Sequence, residues 1–296
     1  MKLGLSTNNY SKLYYKTSAI AHAEIYNFMK SNLISADEYT FQPYFNSIVE
    51  KYNIKVFEHH FENNIILGTT TNDKRGISIS YERDSVPVQQ NFTKCHELGH
   101  LILEHQGENF TLLPKCDTEQ EQEANLFSAF VLVPNIVLYH KIVNQEKNFT
   151  TIKNELQLSE ITLKYRLINF LQIESNLSKT TAEKYEYEYR VDNNSKNLIA
   201  ILTKHKEAIF SVYRQAKVDT YLKTKSLISK YNFITNIEVP ELSDNSLQIK
   251  LSQENNIKTW SYYNKGKTLW YAWDTTEITD TEALQKAKLI HLLKLF

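Results

Sequence analysis

NFTKCHELGHLILEH, residues 91–105, sets Phe92, Cys95, Leu98, Gly99, Leu101 and Ile102 at three- and four-residue spacings, the period of a buried helix. Inside it His96-Glu97-Leu98-Gly99-His100 has the form HExxH. Positions four apart on a helix share a face one turn apart, so His96 and His100 can direct imidazole nitrogens at a single ion. Two histidines in so apolar a helix would be costly without partners. Glu97 stands beside them, where a carboxylate can take a proton from a metal-bound water that attacks a carbonyl.

A catalytic zinc site needs a third protein ligand. The HExxHxxGxxH pattern of one zinc-peptidase class would require Gly at 103 and His at 106, and the chain has Leu103 and Gln106 there. His105 follows His96 by nine residues and is expected on another side of the helix. The ligand is therefore sought in the next helix, where Glu119, Glu121 and Glu123 are the candidates. Glu123 opens the apolar stripe of Leu126, Phe127 and Phe130 and is the preferred third ligand. Glu121, about 200° away around the helix, is expected to be exposed, and Cys116 is a remote candidate. Tyr139, His140, Tyr165 and Arg166 are candidate donors to a developing oxyanion.

Outward from this helix the chain reads as alternating blocks. Residues 14–32 and 38–52 have helical periodicity, with Pro43 in the first turn of the second. Ile54–Phe61, Ile65–Thr71 and Gly76–Tyr81 read as an antiparallel meander. His59 and His60 are adjacent strand residues that face opposite sides and cannot converge on one ion. Glu119–Val133 is a helix stopped by Pro134, and a further helix starts at the N-cap Ser159. Near residue 178 the texture turns polar and Tyr-rich, which marks a domain boundary. Beyond it we expect strands at Ile199–Leu202 and Leu247–Leu251, and a long helix over His205–Tyr231. A hairpin around Asn264-Lys265-Gly266 and a helix over Thr281–Phe296 then close the chain. The cluster Trp260, Tyr262, Tyr263, Trp270, Tyr271 and Trp273 is read as hairpin packing.

Composition narrows the classes. The 296 residues balance 34 Lys+Arg against 34 Asp+Glu. Residues 181–296 hold 17 basic and 14 acidic side chains, so neither half is a basic footprint and direct nucleic-acid binding is not expected. No apolar run reaches the roughly 20 residues that span a bilayer, and the N-terminus lacks a signal-peptide core. Two cysteines make no disulfide framework. The expectation is a cytoplasmic protein without a membrane segment.

NFTKCHELGHLILEH, then EQEANLFSAFVLVP, then LSEITLKYRLINFLQI resemble, in order, three signature segments of the ImmA/IrrE family of zinc metallopeptidases. The resemblance covers roughly residues 15–175. It departs at Val131-Leu132-Val133-Pro134, where Leu-Leu-Met-Pro is frequent, and at Cys95, where a small residue is usual. The resemblance implies an α+β fold with a zincin-like core, assigned to residues 1–178; residues 179–296, which the resemblance does not reach, are read from their own sequence as a C-terminal α+β recognition or sensor domain. The resemblance also implies zinc held by His96, His100 and Glu123, with Glu97 as general acid/base of a gluzincin-like endopeptidase. The implied partner is a helix-turn-helix transcriptional repressor of a phage or integrative element, cleaved to relieve repression. The alternatives are an anti-repressor that binds and sequesters without cutting, and a stress-response regulator.

Overall fold

The computed structural model describes residues 7–61, 66–107, 109–112 and 118–293. Contacts divide the chain into two compact units, Met1–Tyr26 with Ala36–Ala216, and Asn27–Ser35 with Lys217–Phe296. The change of sequence texture near residue 178 and this division do not coincide.

In the first unit, α1 (Thr7–Ser31, shared with the second unit) and α2 (Phe41–Lys51) precede a four-stranded sheet. The strands are β1 (Lys55–His59), β2 (Gly68–Asp73), β3 (Gly76–Glu82) and, beyond α3 (Pro87–Ile102), β4 (Asn109–Leu112). Their order is β1-β3-β2-β4. The expected meander is corrected on two points. β1 pairs with β3 in parallel, Lys55 opposite Ser78, and β4 adds an antiparallel edge beside β2. The tight β2–β3 hairpin, with Asp73 opposite Gly76, occupies one side of β3 and leaves β1 only the other. Ile65 and Cys116 lie outside the described residues.

α4 (Glu119–Leu132) packs on α3, and α5 (Asn135–Tyr139), α6 (Phe149–Glu155) and α7 (Glu160–Asn169) follow. Pro134 is the N-cap of α5, so the chain stops and restarts there as its missing N–H requires. α4 is buried around its whole circumference, including Ala124, Phe127, Phe130 and Val131. α8 (Lys179–Arg190), α9 (Lys196–Lys204) and α10 (Lys206–Gln215) complete this unit: α8 packs on α7, α10 on α5, and the Tyr189 hydroxyl donates to Lys147 O at 2.6 Å. Ile199–Leu202 is thus helical in α9, not a strand.

The second unit holds α11 (Thr220–Tyr231), β5 (Phe233–Thr235), α12 (Asn245–Ser252), β6 (Ile257–Asn264), β7 (Lys267–Asp274) and α13 (Asp280–Leu292). Its antiparallel sheet runs β5-β7-β6. The hairpin turns at Lys265-Gly266, both with positive φ, as a two-residue turn requires. Leu247–Leu251 lies in α12, where Leu247 and Leu251, four apart, enter the core as a helical pair. The expected long helix is two, α10 and α11, separated at Ala216–Asp219 where Asp219 caps α11. Tyr271 and Trp273 stack at 5.4 Å inside a core, while Trp260 and Tyr263 face outward.

No single described helix is long and apolar enough to cross a membrane. One bent pair, Glu119–Leu132 with Asn135–Asn144, passes on length and composition. Its side chains form the core of the first unit.

Candidate metal centre

Pro87 occupies the first turn of α3, where its fixed φ favours helix and its missing N–H costs nothing. From there α3 runs against the sheet and α4. Gly99 allows the closest approach: a Cβ built on it would lie 3.3 Å from Ala124 Cα and 3.2 Å from Phe127 Cδ1. That contact sets the face of α3 carrying His96 and His100 against the first turn of α4.

There the Nε2 atoms of His96 and His100 are 3.1 Å apart. Glu121 Oε2 lies 3.1 Å from His96 Nε2, and its Oε1 lies 3.4 Å from His100 Nε2. All three side chains are buried, and their ligand atoms lie within 4.8 Å of one another. Bonds of about 2.0–2.1 Å in tetrahedral array separate ligand atoms by about 3.3 Å, so the spacing fits one first-row divalent cation. Among the described residues, buried Glu121 Oε2 makes no hydrogen bond of good geometry despite its closeness to His96 Nε2, as expected of a metal ligand rather than a structural carboxylate.

Glu123, the third ligand expected from the sequence, is not brought into this cluster. Its Oε2 is 2.9 Å from His105 Nε2, and its Oε1 accepts from Lys16 Nζ at 2.5 Å. Glu121, expected at the surface, is only 6% exposed. A face argument presumes a helix with one wet side, and past the exposed Glu119 α4 has none: Glu121, Gln122 and Glu123 are all buried. The spacing Thr118-x-x-Glu121 marks the start of α4 but carries no sign of ligation. It is a capping pattern, and the Thr118 side chain does accept from Glu121 N at 3.3 Å, which fixes Glu121 in the first turn. Glu119 is exposed.

Glu97 is fully buried. Its Oε2 accepts from Thr70 Oγ1 of β2 at 2.7 Å, while Oε1 has no partner. Gly68 closes that side, since a Cβ there would lie 2.8 Å from Glu97 Oε1. Burial, aided by the negative charge of Glu121, raises the Glu97 pKa to about 8. Burial and the neighbouring imidazoles lower that of His100 to about 2, which keeps it neutral and able to ligate.

Around the cluster, His96 Nδ1 is 3.1 Å from Asn125 Oδ1. The His100 ring stacks on Phe110 of β4 at 4.5 Å. A cavity of about 490 Å³ adjoins this side, lined by Phe92, Gln122, Asn125, Leu126, Tyr165 and Arg166 among others. Tyr139 and His140, the other candidate oxyanion donors, do not line this cavity. Tyr139 packs edge-to-face on Phe210, and His140 contacts Asn144. Arg166 is buried over Phe130, and its Nε donates to Val133 O. His59 and His60 share no ion site; His60 instead approaches Asp84 at 2.9 Å and Glu82 at 3.6 Å.

The segment containing this constellation also matches a known family. Comparisons with curated proteins and with solved structures gave no match. Residues 49–168 match the family model Peptidase_M78, the IrrE N-terminal-like domain, over β1–β4, α3, α4 and nearly all of α7, and that stretch of the chain belongs to this peptidase family.

Proposed function

We propose that the chain is a zinc metalloendopeptidase of HExxH, gluzincin-like type, with a zincin-like core, acting in the cytoplasm as an anti-repressor. The observation that carries the reading is the buried trio His96, His100 and Glu121 with the carboxylate of Glu97 at its side. His96, His100 and Glu121 would hold the ion. Zinc in such a set supplies Lewis acidity toward a scissile carbonyl and acidifies water. Glu97 supplies the proton chemistry: Thr70 fixes Oε2, which leaves Oε1 to take a proton from the attacking water and deliver it to the leaving amine.

The substrate reading is a protein segment in extended form. Among the described residues β4 is an edge strand beside β2, so its other side can pair with a peptide backbone beside α3. The cavity at Phe92 and Leu126 is large enough for a substrate side chain. A helix-turn-helix repressor is the substrate that the family resemblance supports.

Purified protein is expected to hold about one zinc per chain. Glu97→Gln keeps size and hydrogen bonding but removes the base, so repressor hydrolysis should fall by ~10²- to 10⁴-fold with zinc retained. The assay is fragment detection by mass spectrometry alongside a derepression reporter. If Glu97→Gln derepresses as well as the wild type and neither protein yields fragments, the peptidase mechanism is wrong and sequestration replaces it.

A further inference from the structure

Beyond the three candidate ligands, α3, α4 and α1 contribute a row of side chains that runs from the cluster to the surface. His100 Nδ1 lies 2.9 Å from His105 Nδ1. His105 Nε2 lies 2.9 Å from Glu123 Oε2, and Lys16 Nζ donates to Glu123 Oε1 at 2.5 Å. The side chains of His100, His105 and Glu123 are 0%, 4% and 5% exposed, whereas Lys16 is 61% exposed. His105 is brought there by the end of α3. Leu103 closes the helix, Glu104 takes positive φ, and His105 N bonds back to His100 O at 3.0 Å, so the chain folds under its own last turn.

The direction of these hydrogen bonds follows from elimination. Two neutral imidazoles meeting Nδ1 to Nδ1 need one donor and one acceptor. A carboxylate accepts only, so His105 carries its proton on Nε2 to bond Glu123, and its Nδ1 is therefore the acceptor. His100 must then carry its proton on Nδ1, which leaves its Nε2 lone pair directed at His96 and Glu121. Lys16 opposes the charge on Glu123, which would otherwise be buried without a cation.

We propose that His105 and Glu123, with Lys16 behind them, are positioning residues that lock the His100 tautomer and ring orientation for metal binding. This rests on the metal reading given above. Ligating histidines commonly need such a partner on the far nitrogen, and its loss typically costs ~10- to 100-fold in metal affinity. Asn125 serves His96 in the same way, through a neutral amide rather than a charge.

The test is zinc affinity by chelator competition on the full chain, with ¹⁵N imidazole shifts read in the same samples and folding checked by melting in excess chelator. His105→Phe should weaken zinc ~10- to 100-fold without loss of the metal-free fold, and His105→Gln, which keeps an acceptor, should recover part of it. Glu123→Gln should give a smaller loss, while His96→Ala and Glu121→Gln should each cost far more. In the wild type, His105 should show a protonated Nε2 and an unprotonated Nδ1. Loss of zinc in Glu123→Gln as complete as in His96→Ala would make Glu123 a ligand and overturn the proposal, as would unchanged affinity in both His105 variants. A wild type that takes up no zinc would instead sink the metal reading itself.

Discussion

Gly99→Ala perturbs the contact that brings the candidate ligands together while leaving every one of them in place. The added methyl would stand 3.3 Å from Ala124 Cα and 3.2 and 3.3 Å from Phe127 Cδ1 and Cβ. Comfortable carbon contacts lie at about 3.5–4.0 Å, so something must retreat by a few tenths of an ångström. Phe127 is fully buried and the Ala124 atom is backbone, so the relief available is a parting of α3 from α4. Two terms oppose one another. Alanine in a helix interior gains roughly 0.5–1 kcal/mol over glycine, and overpacking costs typically about 1–3 kcal/mol. The expected net is a loss of about 1 kcal/mol, a drop in Tm of roughly 2–4 °C for a unit of this size. The larger effect falls on the site. Glu121 rides on α4, and His96 and His100 lie on either side of Gly99 on α3, so a parting of this size consumes most of the ~0.5 Å tolerance of a preorganised site. Zinc affinity by chelator competition should fall about tenfold or more, beyond what the Tm change explains, and Gly99→Val should fall further. If Gly99→Ala melts higher than the wild type and binds zinc as tightly, the α3–α4 approach does not set the site and this reasoning fails.

Other expectations follow from different parts of the chain. Burial, with help from the Arg166 charge, holds His22 down to a pKa of about 3, so below pH 6.5 the unfolded chain takes a proton that the folded one refuses. Stability is therefore lost as pH falls from about 6.5 toward 3, by about 1.4 kcal/mol per pH unit from this group, and urea titrations of His22→Phe should show a slope shallower by one proton. Glu155→Ala leaves the buried Lys141 ammonium without its 2.7 Å partner and should cost about 1–3 kcal/mol, whereas Lys141→Met should be near neutral; equal losses would refute the desolvation argument. A fragment of residues 217–296 lacks Ser31, whose hydroxyl accepts from Asp219 N at 2.8 Å, and Leu33, which packs on the core of that unit. Circular dichroism of that fragment should show weaker folding than the same fragment with residues 27–35 linked to it.

Much of the fold was legible because local rules and burial agree there. Pro87, Pro134 and Ser159 punctuate helices where their backbone chemistry demands, and the four-residue spacing of His96 and His100 survives any error in helix boundaries. The strand pairing was not legible. Alternation says that β1 is a strand, but its parallel partner β3 is chosen by what the β2–β3 hairpin leaves open. Leu247 and Leu251 fit a short strand as well as a helix, and only the core they enter decides. The polar, Tyr-rich texture of α8 read as a domain boundary, yet Ala182, Tyr189, Leu198, Leu202 and Ile209 give α8–α10 a narrow buried stripe in the first unit.

The different placing of Glu121 and Glu123 has a sharper cause. Two carboxylates two residues apart on α4 both enter the same buried region, and their roles differ only in what meets them. Glu123 finds His105 and Lys16, which complete its hydrogen bonds without any ion. Glu121 Oε2 finds imidazole nitrogens but no hydrogen-bond donor in good geometry, and Glu97 Oε1 finds none. Burying a carboxylate oxygen unpaired costs free energy that protein contacts alone do not return here. On the metal reading proposed above, a cation at His96, His100 and Glu121 would offset the cost at Glu121 and so couple metal binding to the folding of this unit. The satisfied contacts, Thr70 to Glu97, Asn125 to His96 and His105 to His100, come from the chain itself and hold each side chain in place. The division is physical: partners supplied by the chain give the site its shape, and the oxygens the chain leaves unpartnered are the ones that, on the reading proposed above, would meet a cation and act as the base.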